Sequence, residues 1–181
     1  MPTRIHNDLE REFPGFASRL AIRPNEPYLV EQVLPPATDQ QIDQLEAELG
    51  VPLPSSYKRL LRLARGFWLA GGLIPLSGQH PFFHEFRPLG ELNPQQRRVV
   101  QQKGGGWPPP SEGMLCFAEF FLEADGDQAL WDARNGLQDG EYPVFYYAHE
   151  ASPPTVRHIA SSFAAWLDQC IDAFPPDEET E

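Results

Sequence analysis

Basic residues are nearly missing from the last part of this 181-residue chain. Residues 112–181 hold 15 acids against only Arg134 and Arg157, a net of −13, whereas residues 1–111 hold 11 acids against 12 bases, a net of +1. The whole chain stands at −12, so uniform attraction to phosphate backbones or to anionic lipid is disfavoured. Neither nucleic acid nor a membrane is expected as a direct partner. Cysteine is scarce as well: Cys116 and Cys170 allow at most one disulfide and lack the paired spacings of zinc sites. They read as reduced thiols behaving as small hydrophobes. No apolar run reaches the ~18 residues of a membrane span. The opening MPTRIHNDLEREF places charges where a signal peptide needs an apolar stretch, and a cytoplasmic protein is expected.

Signatures of chemistry are also wanting. His84-Glu85 and His149-Glu150 begin like the zinc-protease motif H-E-x-x-H, but Pro88 and Pro153 occupy the fifth position. His80 and His84 are four apart, yet Pro81 follows the first, and the phenylalanines between them look like packing groups. Asp125-Gly126-Asp127 starts like a calcium loop but puts Ala129 where the next oxygen ligand belongs, so a hairpin turn explains it better. The triple glycine 104–106 lacks the Lys-Ser/Thr pair of a phosphate loop, and there is no G-x-S-x-G elbow. No metal, cofactor or catalytic set is expected.

What the chain does have is proline, 20 residues of it, against the roughly nine that a usage of about 5% gives. Pro14, Pro24 and Pro27 limit the first 30 residues to one short helix. Thr38 with Gln41 forms a capping box, Ile42, Leu45 and Leu49 then share a face, and Gly50 and Pro52 stop the helix. Ser55 is placed to cap a second helix carrying Tyr57, Leu60, Leu61 and Ala64. Its other side bears Lys58, Arg59, Arg62 and Arg65, which is an anion site or a solvated face that also suits the helix dipole.

Phe67–Leu76 reads as a strand or hairpin, Asn93–Lys103 as a short helix with proline at its first position, and Gly104–Pro110 as a loop. Met114–Phe121 and Gln128–Ala133 make a hairpin, and Tyr142–Ala148 supplies a further strand after the turn Asp139-Gly140. A helix capped by Ser161 or Ser162 carries Phe163, Trp166, Leu167, Cys170 and Ile171 on one stripe. Helices early, strands later and one closing helix give an α+β class: a mainly antiparallel sheet with helices on one face. Alternation along Phe145-Tyr146-Tyr147 opposes Tyr146 to its neighbours, and Tyr146 is expected to point outward.

The segment Leu34–Leu61, with Pro36 and Ala37 before the cap, Ile42, Leu45, Glu46, Leu49 and Gly50, then Leu53, Pro54 and Tyr57, resembles the opening of the SUKH superfamily. That superfamily's domain is shared by a yeast cell-wall regulator and many bacterial immunity proteins. Gly126-Asp127 before Ala129–Asp132, and Ile159–Phe163 opening the last helix, are similar to its later pattern. The resemblance divides the chain into an N-terminal extension (1–32), a SUKH-like domain (33–174) with a proline-rich insertion at about 77–112, and an acidic disordered tail (175–181). It implies a non-catalytic binder, in many bacterial members of a cognate toxin domain such as a nuclease. The acid excess then supplies a motive: a negative surface drawn from Asp125, Asp127, Asp132, Asp139, Glu141 and Glu150, with Tyr146 among them, would meet a positive cleft. The chain is taken as a monomer, and a scaffold or regulatory module of the same fold is the alternative.

Overall fold

The computed structural model describes residues 3–21, 30–31, 33–66, 68–69, 74–75, 113–119, 127–148 and 151–173. The expected helix around residue 93, His80, His84, His149, the triple-glycine loop, the whole 77–112 insertion and the acidic tail lie outside them.

The chain opens with two helices, α1 (Thr3–Glu12) and α2 (Pro14–Ala21), rather than one. Pro14 does not end helical structure but begins its second piece, a first-turn position where its missing N–H is no loss. Phe13 between them donates its N–H to the Leu9 carbonyl at 2.7 Å. Leu9, Phe13, Phe16 and Ala17 are all buried in the main core.

The helical pair α3 (Asp39–Leu49) and α4 (Ser55–Leu63) follows as the spacing predicts. The Thr38–Gln41 capping box is complete, and Gly50 closes α3 at φ 72°, a left-handed value that costs glycine nothing. Ile42 on α3, and Tyr57, Leu60, Leu61 and Ala64 along α4, are buried. Residues 33–37 run beside the end of α4, where the Ala37 N–H meets the Leu61 carbonyl at 2.8 Å, one of the four that a helix end leaves unpaired.

Three two-residue strands, β1 (Val30–Glu31), β2 (Trp68–Leu69) and β3 (Ile74–Pro75), form a small antiparallel sheet in the order β1-β2-β3. The main sheet is an antiparallel meander of β4 (Met114–Glu119), β5 (Gln128–Asp132), β6 (Val144–Ala148) and β7 (Thr155–Ala160). Helix α5 (Phe163–Cys170) closes the fold, with the Ser162 hydroxyl accepting from the Ala165 N–H at 3.1 Å. The architecture is α+β.

One face of the sheet packs on α4 and α5 through aromatic rings. In β4 the register jumps between Cys116 and Ala118, leaving Phe117 as the extra residue of a bulge. Phe117 stacks on Trp131 at 4.6 Å, and Trp131 takes Tyr57 edge-on at 4.7 Å. Phe163 meets Tyr57 at 5.0 Å, and Trp166 meets Phe117 at 4.9 Å. Edge and offset contacts of this kind add about 0.5–1.5 kcal/mol each beyond area burial. The opposite face is also covered near β4 and β5, where Met114, Cys116 and Leu130 are buried. Both cysteines are buried free thiols.

Candidate interaction surface

Three polar clusters of the described chain contain residues singled out from the sequence. The first lies where the α3–α4 turn meets the turn between β5 and β6. Gln138 and Glu141 exchange backbone hydrogen bonds of 2.9 and 3.0 Å around Asp139-Gly140. Both turn residues have positive φ, 51° and 81°, as a type I′ hairpin turn demands. The turn lies close against α4: the Ser55 N–H meets the Gly140 carbonyl at 2.8 Å, and a β-carbon at Gly140 would sit 2.7 Å from the Ser55 hydroxyl.

Helix α4 is capped from this turn. No side chain before the helix caps it, since Pro54 has none to offer and Ser55 is already its first helical residue. The expected Ser55 cap is therefore corrected. Glu141, 85 residues away, accepts from the Ser56 N–H at 2.8 Å and the Ser56 hydroxyl at 2.6 Å. A carboxylate there also meets the positive end of the helix dipole. Nearby, Tyr142 donates to the Pro52 carbonyl at 2.9 Å, and Glu46 accepts from the Leu53 N–H at 2.6 Å and from Lys58 at 2.5 Å. Partial burial pushes the Glu46 carboxyl up, but Lys58 and the Leu53 N–H outweigh it and hold the group below the usual carboxylate range. Burial, helped by the Glu46 charge, pushes the Tyr142 phenol up.

At the far end of β5, Asp132 receives a two-pronged hydrogen bond from Arg134, at 2.7 and 2.6 Å, and the Arg134 N–H at 3.2 Å. Hydrogen bonding to Arg134 holds the Asp132 carboxyl below the usual range, against the upward push of burial. The third place is at the start of β5, where fully buried Asp127 accepts from the Tyr146 hydroxyl. The Arg157 guanidinium covers the Tyr146 ring at 4.6 Å. Burial and the Asp127 charge push the neighbouring Tyr147 phenol up.

The seven residues singled out from sequence thus have different fates. Asp139 is exposed at a turn tip, whereas Glu141 is half-buried as a helix cap. Asp127 and Asp132 are buried, and Tyr146 does not point outward. Alternation does oppose Tyr146 to Phe145 and Tyr147, but the sheet is covered on both faces here, so opposite does not mean exposed. Asp125 and Glu150 lie outside the described residues.

The basic row on α4 is largely engaged within the fold. Lys58 binds Glu46, Arg62 binds Asp39 at 2.9 Å, and Arg59 lies 5.4 Å over the Phe13 ring. Sequence reasoning missed Ser56 as the capped residue and β7 as a strand. The β-branched residues Thr155, Val156 and Ile159 were the available signal for β7. Among the described residues no group of three or more His, Cys, Asp or Glu side chains is placed to hold a metal, and no helix is long and apolar enough to cross a membrane.

Fold and surface together define an α+β domain built on an antiparallel meander, with carboxylates tying its helices to its turns. The SMI1/KNR4 family (SUKH-1) model matches residues 36–169, and the chain belongs to that family. None of the curated proteins matches it.

Proposed function

We propose that this chain is an immunity protein, which binds a cognate secreted bacterial toxin domain and neutralises it by covering its active surface with no chemistry of its own. The observation that carries the reading is membership of the SUKH-1 family over residues 36–169. The charge of −12 supports it: a nuclease carries a positive cleft for phosphate, and an acidic partner both speeds encounter and blocks substrate. Asp139 contributes directly from its exposed tip, and Asp125 and Glu150 extend the acidic set. Asp127, Asp132 and Glu141 contribute from within, by fixing the turns and strands that present the surface, while Tyr146 supports Arg157 from beneath.

Co-expression of this chain with the toxin domain encoded beside its gene tests the proposal. Restored growth and a purified complex are expected. Association should slow several-fold in the combined Asp125→Asn, Asp139→Asn, Glu150→Gln variant, with a shallower dependence on salt. An unchanged rate would remove electrostatic steering. Continued toxicity with no complex would remove the immunity reading.

A further inference from the structure

We infer that Asn135 is a self-modification site, where water converts the side-chain amide to a carboxylate through attack by the backbone nitrogen of Gly136. The reaction needs no partner, so it stands apart from the immunity reading.

Of the four asparagines, at positions 7, 25, 93 and 135, only Asn135 precedes glycine. Ring closure requires the next backbone nitrogen to reach the asparagine Cγ, and a β-carbon beside that nitrogen crowds the approach. Glycine has none and turns its peptide plane freely, which makes an asparagine before it a thermolabile residue. The step balances with water alone. The Gly136 nitrogen gives its proton to solvent and bonds to Cγ, the Cγ–Nδ2 bond breaks, and Nδ2 leaves as ammonia. Water then opens the resulting succinimide. Attack at Cγ gives aspartate, and attack at the backbone carbonyl gives isoaspartate, whose main chain is longer by one methylene.

The fold leaves this approach open. Asn135 follows β5 in a turn whose residues Arg134, Asn135 and Gly136 are all exposed. One bond, from the Gly136 N–H to the Ala133 carbonyl at 3.1 Å, closes that turn, and water can replace it. A β-carbon at Gly136 would meet nothing within 4 Å. Asp139-Gly140, four residues on, is the contrast. There the Gly140 carbonyl is held by the Ser55 N–H at 2.8 Å, and the Ser55 hydroxyl lies 2.7 Å from where a β-carbon would stand. Turning that peptide breaks its contact with α4, and a carboxylate offers a nucleophile a poorer carbon than an amide does.

Either product at 135 adds one negative charge to a chain of −12. The Arg134 guanidinium is already bound by Asp132. The new carboxylate therefore joins Asp139 on the same connection, and a cationic partner would favour that change.

The test incubates the full chain in heavy-oxygen water at mildly alkaline pH, folded and, in parallel, unfolded in guanidinium. The folded chain is expected to gain an acidic form that focuses with Asn135→Asp. Fragment masses should place one heavy oxygen at residue 135, in two chromatographically separate forms. The rate should rise in proportion to hydroxide and stay within about tenfold of the unfolded chain, since an exposed turn opens at little cost. Asn135→Gln, which must close a larger ring, should show no conversion over the same period, with circular dichroism establishing that it is folded. A folded chain that keeps its amide while the unfolded chain loses it overturns the inference, because the Ala133 bond would then shield the site. Conversion in neither state overturns it as well, as does a heavy oxygen at Asp139 in place of 135.

Discussion

Removing the carboxylate of Glu141 should destabilise a helix that begins 86 residues earlier in the chain, at Ser55. Ser56 is buried, and its N–H and hydroxyl both end on this carboxylate. Glu141→Ala leaves two donors unsatisfied, each worth about 1–3 kcal/mol when truly buried. Glu141 itself is only half-buried, so water can replace part of what is lost, and the low end of that range applies to each donor. The expected loss is about 2 kcal/mol, matching the upper part of the range for deleted helix caps. At a urea dependence of about 2 kcal/mol per molar, the unfolding midpoint falls by about 1 M. The melting temperature falls by about 4–8 °C for a chain of this size. Glu141→Gln keeps one acceptor and loses the charge, and should cost about half as much. A cycle with Ser56→Ala isolates the pair, with an expected coupling of about 1 kcal/mol. If Glu141→Ala unfolds within ~0.3 M of the parent chain, the carboxylate does not cap α4 and the reasoning is wrong.

Gly140→Ala should lose about 1–2 kcal/mol in urea titration, from its φ of 81° and from the 2.7 Å approach to the Ser55 hydroxyl. Gly136→Ala at φ 71° meets nothing within 4 Å and should lose only the backbone part. Ser55→Ala added to Gly140→Ala should recover the steric part, and failure to do so would relocate the strain. Asp132, held below its unfolded carboxyl value by Arg134, contributes stability that is complete above about pH 4 and disappears as pH falls further. Melting between pH 7 and pH 3 should show a flatter acid limb in Asp132→Asn, and an unaltered limb would remove the pair as its source. Phe163→Ala deletes a ring that touches Tyr57, Phe117 and Trp131 and should lose about 3–5 kcal/mol by denaturant titration, while a loss under 1 kcal/mol would mean that the cluster repacks. Cys116 and Cys170 should resist a thiol reagent until the chain unfolds, burial having pushed the Cys170 thiol strongly up, and rapid native labelling would contradict that burial.

Where local chemistry decides structure, the sequence was readable. Thr38, Gln41 and Gly50 bound α3 because a capping box and a left-handed stop act within a few residues. The apolar stripes of α4 and α5, and the hairpin of β4 and β5, follow from periods of 3.6 and 2. Reading failed where long-range contact decides. Nothing near Ser55 announces that a glutamate 85 residues beyond Ser56 will cap its helix. Pro14 looks like a terminator until Phe13 and Phe16 are seen buried beside it. Strand β7 lacks a clean alternation of buried and exposed residues, and only one of its six residues, Ala160, is buried.

The same distinction governs how far a charge count speaks for a surface. Of the six acids that the count proposed for an interface, four lie in the described chain, and three of those have internal partners: Asp127 with Tyr146, Asp132 with Arg134, and Glu141 with Ser56. Such carboxylates are costly to leave unpaired inside a fold, so their side chains turn inward and their charge is spent on order. Asp139 differs because Gly140 and Glu141 are the residues of this turn that meet α4, which leaves the Asp139 side chain on its exposed corner. Bases follow the same rule: Arg134 is consumed by Asp132, and the Arg157 guanidinium is laid over the Tyr146 ring. A partner would therefore meet fewer acids than the composition promises. Its recognition of this chain depends on matching that pattern and not on the bulk charge alone.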